Sequence, residues 1–401
     1  MVETCSDFPV PKNDDNVPEI PIEIVSDEEM AFIEAALASA SSFYAVPATR
    51  SPTCSSQFHR NAKSIRSITV VSKRRLSKRS EPDIEDSDNL VSTQKKSRLF
   101  ESFLRRFRRK RGLSVTDLTQ TEWCQKQMEF ALCLGGRKTN KAMSAGIARH
   151  VELEEEVMKR VEVKVKSREE YYALKLLNFI NGVNQLLFEG LTRELPVIGF
   201  LQGIWMVGMI DEIRMPLTEN GSHPILIDTK TRARDTLPSE PQRRNGRLQL
   251  MCYKYLWDNL VADNFPSEQF FDFFELNPQH NLCEDLRVTC ADSGFSVLTL
   301  DDVVRCYKNT CRMLLPAHDQ LLLRYEFQKD HSLIGEDKFS YDSDWLEYQI
   351  GSCLKFWVGE REATYAPEEE RWKCRFCEFA SVCPAYLDDT KDDSNSSNQE
   401  S

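Results

Sequence analysis

The chain has 401 residues, 41% of them hydrophobic, and a formal net charge of −11, a balance that allows a sizeable core and argues against coating nucleic acid by bulk electrostatics. No apolar run approaches the ~18–20 residues that span a bilayer, and the acidic start MVETCSDFPVPKNDDNVPEIPIEI is neither a secretory signal nor an Arg-rich transit peptide. The chain is therefore expected to be soluble and intracellular, where its 13 cysteines point to metal or cluster ligation, or to small buried hydrophobes, rather than to disulfides.

Residues 1 to about 97 are rich in Ser, Asp, Glu and Pro, with scattered apolar residues, the composition of a disordered segment. Within it, Ile22-Glu23-Ile24-Val25 followed by Ser26-Asp27-Glu28-Glu29 is either a chance cluster or a β-prone strip that resembles a SUMO-interacting motif, which adds a strand to a partner's sheet. Two basic blocks, Lys73 to Arg79 and Arg105 to Arg111, read as nuclear import signals or nucleic-acid patches, or else as solvated charged surface. The nucleus is thus the expected compartment, with the cytosol as the alternative and the mitochondrion disfavoured by the acidic N-terminus. Dense globular sequence starts near Leu113, giving an extension over 1–112, a domain over 113–386 and a polar tail over 387–401.

Helical periodicity covers about 117–133, 140–159 and 168–189. Strand-like stretches follow at 199–215 and 223–232, separated by a segment whose Asn220-Gly221 is a hairpin signal. The pattern then predicts a helix over about 247–259, a strand at 270–276 (FFDFFEL) and helices over about 301–324 and 343–357. This alternation predicts an α/β fold with a central mixed sheet flanked by helices.

Asp211 ends the apolar strand MVGMID, and Ile225-Leu226-Ile227 leads into Asp228-Thr229-Lys230. Side chains alternate along a strand, so Asp228 and Lys230 share a face, and a hairpin brings Asp211 to the same point. Two carboxylates at the ends of such apolar strands need solvent or a cation, and oxygen ligands suit Mg²⁺ or Mn²⁺. Such ions serve phosphodiester cleavage, with Lys230 placed to orient water or neutralise charge on the phosphoryl group. On a preceding helix, Gly146, His150 and Glu154 fall at i, i+4 and i+8, and on a following one Gln249 and Tyr253 fall at i and i+4. Arg232, Arg234, Arg243, Arg244 and Arg247 form a local basic cluster between these elements, suited to phosphate contacts. Trp205 and Tyr253 are either core residues or stacking surfaces for unpaired bases.

Near the C-terminus, Cys374-x2-Cys377-x5-Cys383 places three thiols at ligand spacing. The fourth ligand must come from elsewhere, and Cys124 is the first candidate, with Cys133 the second.

In order, G-x3-H-x3-E (Gly146 to Glu154), G-x2-D (Gly208 to Asp211), D-x-K (Asp228 to Lys230) and Q-x3-Y (Gln249 to Tyr253) resemble the RecB-type branch of the PD-(D/E)XK nucleases, most closely the exonuclease V family, over about residues 113–386. The resemblance implies a PD-(D/E)XK core in which Asp211 and Asp228 are the main metal ligands and His150 is a further one. Glu154 would support the metal shell, Lys230 would be the catalytic lysine, and Gln249 and Tyr253 would position the scissile strand. Asp-x-Lys departs from the commoner Glu-x-Lys, which brings the metal closer to the strand. One distant cysteine with a C-terminal trio implies a structural [4Fe–4S] cluster, with zinc as the alternative on the same thiolates. The implied function is a metal-dependent exonuclease on single-stranded DNA that releases short oligonucleotides, serves DNA repair or genome maintenance, and works as a monomer. A non-catalytic nucleic-acid scaffold and an RNA nuclease are the alternatives.

Overall fold

The structure, a computed structural model, describes residues 66–70, 101–135, 140–216, 223–292 and 296–386. The strip at 22–29, the basic block at 73–79, the Asn220-Gly221 turn and the tail over 387–401 lie outside the described residues. In chain order, strand β1 (Arg66–Val70) precedes helix α1 (Phe103–Arg108), strand β2 (Leu113–Ser114), helices α2 (Val115–Trp123), α3 (Gln125–Leu134) and α4 (Lys141–Glu155), strand β3 (Lys159–Val163) and helix α5 (Arg168–Glu189). Strands β4 (Leu191–Leu201), β5 (Ile204–Arg214) and β6 (Ile225–Arg232) come next, then helices α6 (Glu240–Val261), α7 (Ser267–Phe273), α8 (Glu284–Asp292) and α9 (Leu300–Cys311). Strands β7 (Gln320–Phe327) and β8 (Leu333–Ser340), helix α10 (Ser343–Trp357) and 3-10 turns at Glu368–Phe376 and Ala380–Val382 complete the chain.

The main sheet is mixed, as expected. Strands β4, β5 and β6 pair antiparallel in turn, β6 and β7 pair parallel, and β7 and β8 pair antiparallel. Strand β2 runs parallel to the start of β5, and β1 with β3 form a separate parallel pair. A parallel neighbour requires a crossover, and α6 to α9 supply it between β6 and β7. The core lies where α5, α6 and α9 meet the sheet, around the buried Phe179, Leu256, Trp257 and Tyr307. No helix among the described residues is long and apolar enough to cross a membrane.

Helix α5 has the bounds its apolar spacing predicts, because Ser167 Oγ accepts from the Glu170 N–H at 3.1 Å and caps its start. The predicted helix over 117–133 is instead two helices, broken where Cys124 adopts an extended backbone and its sulfur accepts from the Gln127 N–H at 3.4 Å. The predicted strand FFDFFEL is helix α7 and its cap. Phe270 and Phe274, one turn apart, are both fully buried against Tyr172 and Trp205, so tertiary packing overrides aromatic strand propensity. The predicted helix over 301–324 stops at Cys311, before Pro316, which lacks an amide donor and clashes with a continuing helix, and β7 takes the remainder.

Helix α1 packs on the domain ahead of Leu113. Phe103 stacks on Phe356 at 4.8 Å between ring centroids. Arg108, from the second basic block, is buried in a bidentate pair with Asp117 at 2.9 and 2.8 Å. That arginine holds the fold together, and Arg105, Arg106 and Arg109 are the ones exposed.

Candidate active site

Strands β5 and β6 pair only from Arg214↔Ile225 to Glu212↔Ile227. One step further along this register Asp211 stands opposite Asp228, at the point where the ladder ends. The Thr229 N–H donates to Asp211 Oδ2 at 3.3 Å. Asp228 is fully buried. Lys230 Nζ lies 2.9 Å from Asp228 Oδ2, an ion pair. Burial and the Asp211 charge push the Asp228 carboxyl well above the ordinary carboxylate range, although Lys230 opposes them.

Lys230 also donates to Gln249 Oε1 at 2.9 Å, and Gln249 Nε2 donates to the Tyr253 hydroxyl at 3.4 Å. Helix α6 thus reaches strand β6 through two residues on one face. Burial opposes the charge on Lys230, but the Asp228 and Asp211 carboxylates prevail and raise its pKa. Burial, with Asp211 beside it, raises that of Tyr253 well above the usual phenol value.

Helix α4 lies against β6 because Gly146 has no side chain. A Cβ there would sit 3.1 Å from Thr231 Oγ1. Arg149 donates to Glu326 of β7 at 2.9 Å, and Gln328 bridges Ala142 O and Thr231 Oγ1 at 2.8 and 2.9 Å. These ties aim His150 into the site, its Nε2 3.8 Å from Asp211 Oδ2 and its Nδ1 2.9 Å from Glu194 Oε1. Burial disfavours the imidazolium, yet Asp211 and Glu194 outweigh it and raise the His150 pKa to about 9. Glu154 is buried one turn further along α4, near enough to Glu194 to raise the pKa of its carboxyl further.

Glu194 is the residue that the sequence reading misses. His150, Glu194 and Asp211 offer ligand atoms within 4.8 Å of one another. The available signal was a glutamate inside the apolar run LTRELPVIG.

Of the five arginines, Arg244 is bound to Glu122 at 2.7 Å and to Glu370 at 2.8 and 3.1 Å, joining α6 to α2 and to the C-terminal segment. Arg247 is held by Asp337 at 2.9 and 3.1 Å and by Glu240 at 2.8 Å, and Arg243 pairs with Glu240 at 3.0 Å. Arg232 reaches Gln242 at 3.5 Å, Arg234 is exposed, and neither forms an ion pair among the described residues. Trp205 is buried among Phe265, Phe270 and Phe274, a core residue.

Cys124, Cys374, Cys377 and Cys383 line one cavity, with Phe130 and Tyr365 among its walls. Cys133 is exposed and does not line it. Lys373 lies 3.9 Å from the Trp123 ring centroid and pairs with Glu370, fixing the C-terminal segment beside the end of α2.

A family model described as "Exonuclease V - a 5' deoxyribonuclease" matches residues 102–223, 218–302 and 296–384. The chain is similar to Exonuclease V of Danio rerio, 29% identical over 304 residues, which is 74% of this chain and 76% of that protein. It also resembles "Exonuclease V, mitochondrial" of Candida dubliniensis, 38% identical over 65 residues (16% of this chain, 10% of that one), and the Candida albicans (strain WO-1) protein of the same name, 34% identical over 130 residues (29% and 21%). With the family model matching most of its length, the chain belongs to the exonuclease V family and is a DNA exonuclease, a hydrolase.

Proposed function

We propose that this chain is a divalent-metal-dependent exonuclease that acts on single-stranded DNA from the 5′ end and releases short oligonucleotides in genome maintenance. The observation that carries the reading is Asp228, a fully buried carboxyl group set opposite Asp211 and beside Lys230. Burial beside a second carboxylate is costly for Asp228 and is relieved when a further cation joins the pair, and the all-oxygen pair with a nearby imidazole fits Mg²⁺ or Mn²⁺. Asp211, Asp228 and His150 would hold the ion, with Glu154 behind them. Such an ion, when bound, activates water and stabilises the leaving oxygen.

The protein's own side chains do the rest. Lys230, fixed between Asp228 and Gln249, meets the negative charge that builds on the phosphoryl group. Gln249 and Tyr253 keep the lysine from swinging away and bear on the scissile strand. Arg232, Arg234 and Arg243 would grip phosphates, whereas Arg244 and Arg247 secure α6. The catalytic unit is taken as residues 113–386 with α1 packed on it.

The four-cysteine cavity fits a [4Fe–4S] cluster in chemistry, because four free thiols from both ends of the domain meet in one partly apolar enclosure. Its role would be to clamp the C-terminal segment to α3, as structural metal sites do. A brown protein that loses colour and thermal stability in Cys377→Ser supports this; a colourless protein with stoichiometric zinc refutes it.

The fungal relatives' names support the mitochondrion as a working compartment, while the nucleus rests on the basic blocks alone. A SUMO-like partner at 22–29 and a monomeric state are proposals from sequence only.

The test is a panel of end-labelled substrates (single-stranded DNA, duplex DNA and RNA) with Mg²⁺ or with chelator. Mg²⁺-dependent shortening of single-stranded DNA from the 5′ end is expected. Cleavage that persists in chelator, or RNA degraded in preference, would overturn the reading.

A further inference from the structure

Glu194 occupies an unusual place in the sheet. Its neighbours pair regularly, Arg193 with Glu212 and Leu195 with Ile210, but the pair between them, Glu194 with Asp211, is missing from the ladder. Glu194 has φ +48°, the left-handed region that a residue with a Cβ seldom adopts. It is nonetheless buried, as a carboxylate, inside a strand. Burial raises its pKa, and the hydrogen bond from His150 is the chief effect opposing that rise.

A strained backbone around a buried charge persists only where surrounding contacts over-determine it, and such residues gather at functional sites. Here the distortion breaks the strand's alternation and turns the carboxylate toward α4. Its Oε1 then lies 2.9 Å from His150 Nδ1, while the other ring nitrogen, Nε2, faces Asp211 at 3.8 Å. The second, independent observation is the fully buried Asp228 carboxyl across from Asp211, the acid that Nε2 faces.

We infer that Glu194 is the positioning residue of His150: it accepts the Nδ1–H, fixes the tautomer and ring orientation, and so leaves Nε2 to face the cation site. This inference rests on the metal-site reading above. The physics is that of a ligating imidazole, whose second nitrogen must be held if the first is to point at a cation, and whose basicity rises when that partner is anionic. Strand β4 therefore contributes to the site, through one left-handed residue, without touching the ion.

The experiment measures Mn²⁺ affinity of the full chain by electron paramagnetic resonance, with thermal unfolding of the metal-free protein alongside. Four variants are compared with the wild type: Glu194→Gln, Glu194→Gly, His150→Ala and the double variant His150→Ala/Glu194→Gly. Glu194→Gly should weaken Mn²⁺ binding by about 10–100-fold, the usual effect of losing such a partner. Glycine accepts the left-handed backbone, so the loss of the His150 contact is the stability change expected, and the unfolding curve shows that the variant is folded where Mn²⁺ binding is read. Glu194→Gln keeps an acceptor oxygen and should recover part of the affinity. The double variant should bind no more weakly than His150→Ala alone, since Glu194 acts through the histidine.

Glu194→Gly binding Mn²⁺ like the wild type overturns the inference. A double variant much weaker than His150→Ala also overturns it, because that result makes Glu194 a ligand in its own right. A wild type that binds no Mn²⁺ removes the metal-site reading itself, and the inference with it.

Discussion

Replacing Gly208 with alanine would put a Cβ 2.5 Å from Tyr253 Cε1 and 3.1 Å from Val115 Cγ2. Carbon atoms in contact prefer about 3.5–4.0 Å, so the tyrosine ring would have to retreat by about 1 Å. Tyr253 is 3% exposed and sits on α6 between fully buried neighbours, so little room exists for that movement. Overpacking of this kind costs about 1–3 kcal/mol, a fall in unfolding temperature on the order of 2–12 °C for a domain of this size. The displacement would also travel from the Tyr253 hydroxyl to Gln249 and on to Lys230. A catalytic group misplaced by about 1 Å can cost about 10²-fold in rate. Circular dichroism on heating and initial rates on end-labelled single-stranded DNA at saturating Mg²⁺ read the two effects. Adding Tyr253→Leu, which removes the overlapping ring, should restore stability but not the rate. A Gly208→Ala protein that unfolds and cuts like the wild type would refute the reasoning.

Asp228→Asn keeps the shape of the side chain but removes the anionic oxygen that would hold a metal ion, so the nuclease rate should fall by at least about 10²-fold; an active variant would contradict this. His150 titrates near 9 in the folded protein against an ordinary 6.5. Its stabilisation of the metal-free protein, at most about 3 kcal/mol, is therefore complete below pH 6.5 and lost as pH rises through about 9. Urea midpoints across that window should fall, and His150→Gln should flatten the fall. Arg244→Met leaves Glu122 and Glu370 without their shared partner and should cost about 2–3 kcal/mol in chemical denaturation, discounted for the arginine's partial exposure. Hydrogen bonding from Arg244, helped by Lys373, lowers the Glu370 pKa to about 2 despite burial. That contribution is present above pH 4.5 and disappears as pH falls through about 2, so wild type and Arg244→Met should converge in acid.

Much of this architecture is legible in the sequence where local signals agree. Helix α5 is bounded by a serine cap and carries a long apolar face, and its predicted limits are those observed. Asp211, Asp228 and Lys230 converge because strand alternation and the pairing of β5 with β6 are properties of the backbone. His150, Gln249 and Tyr253 join them because α4 and α6 run beside the same strands. Legibility fails where distant contacts decide. FFDFFEL is helical because its phenylalanines fill the space beside Tyr172 and Trp205, which no window of sequence reveals. Strand β8, LIGEDKFS, carries mostly polar edge residues with no strong periodicity, and β7 follows a proline inside what looks like a helix. Glu194 was invisible for the opposite reason: its left-handed backbone departs from the alternation on which strand reading depends. The choice between Cys124 and Cys133, open in the sequence, turns on the break between α2 and α3 that carries Cys124 into the cavity with the C-terminal trio.

The most direct test of the central claim is single-turnover cleavage of a 5′-labelled single-stranded oligodeoxynucleotide by the wild type and by Lys230→Met, at saturating Mg²⁺. Lys230→Met should fold and bind the strand as the wild type does, because the methionine keeps much of the side chain's length without its charge, yet cleave it at least about 10²-fold more slowly. Cleavage by Lys230→Met at the wild-type rate would show that the centre formed by Asp211, Asp228 and Lys230 is not where the phosphodiester is cut.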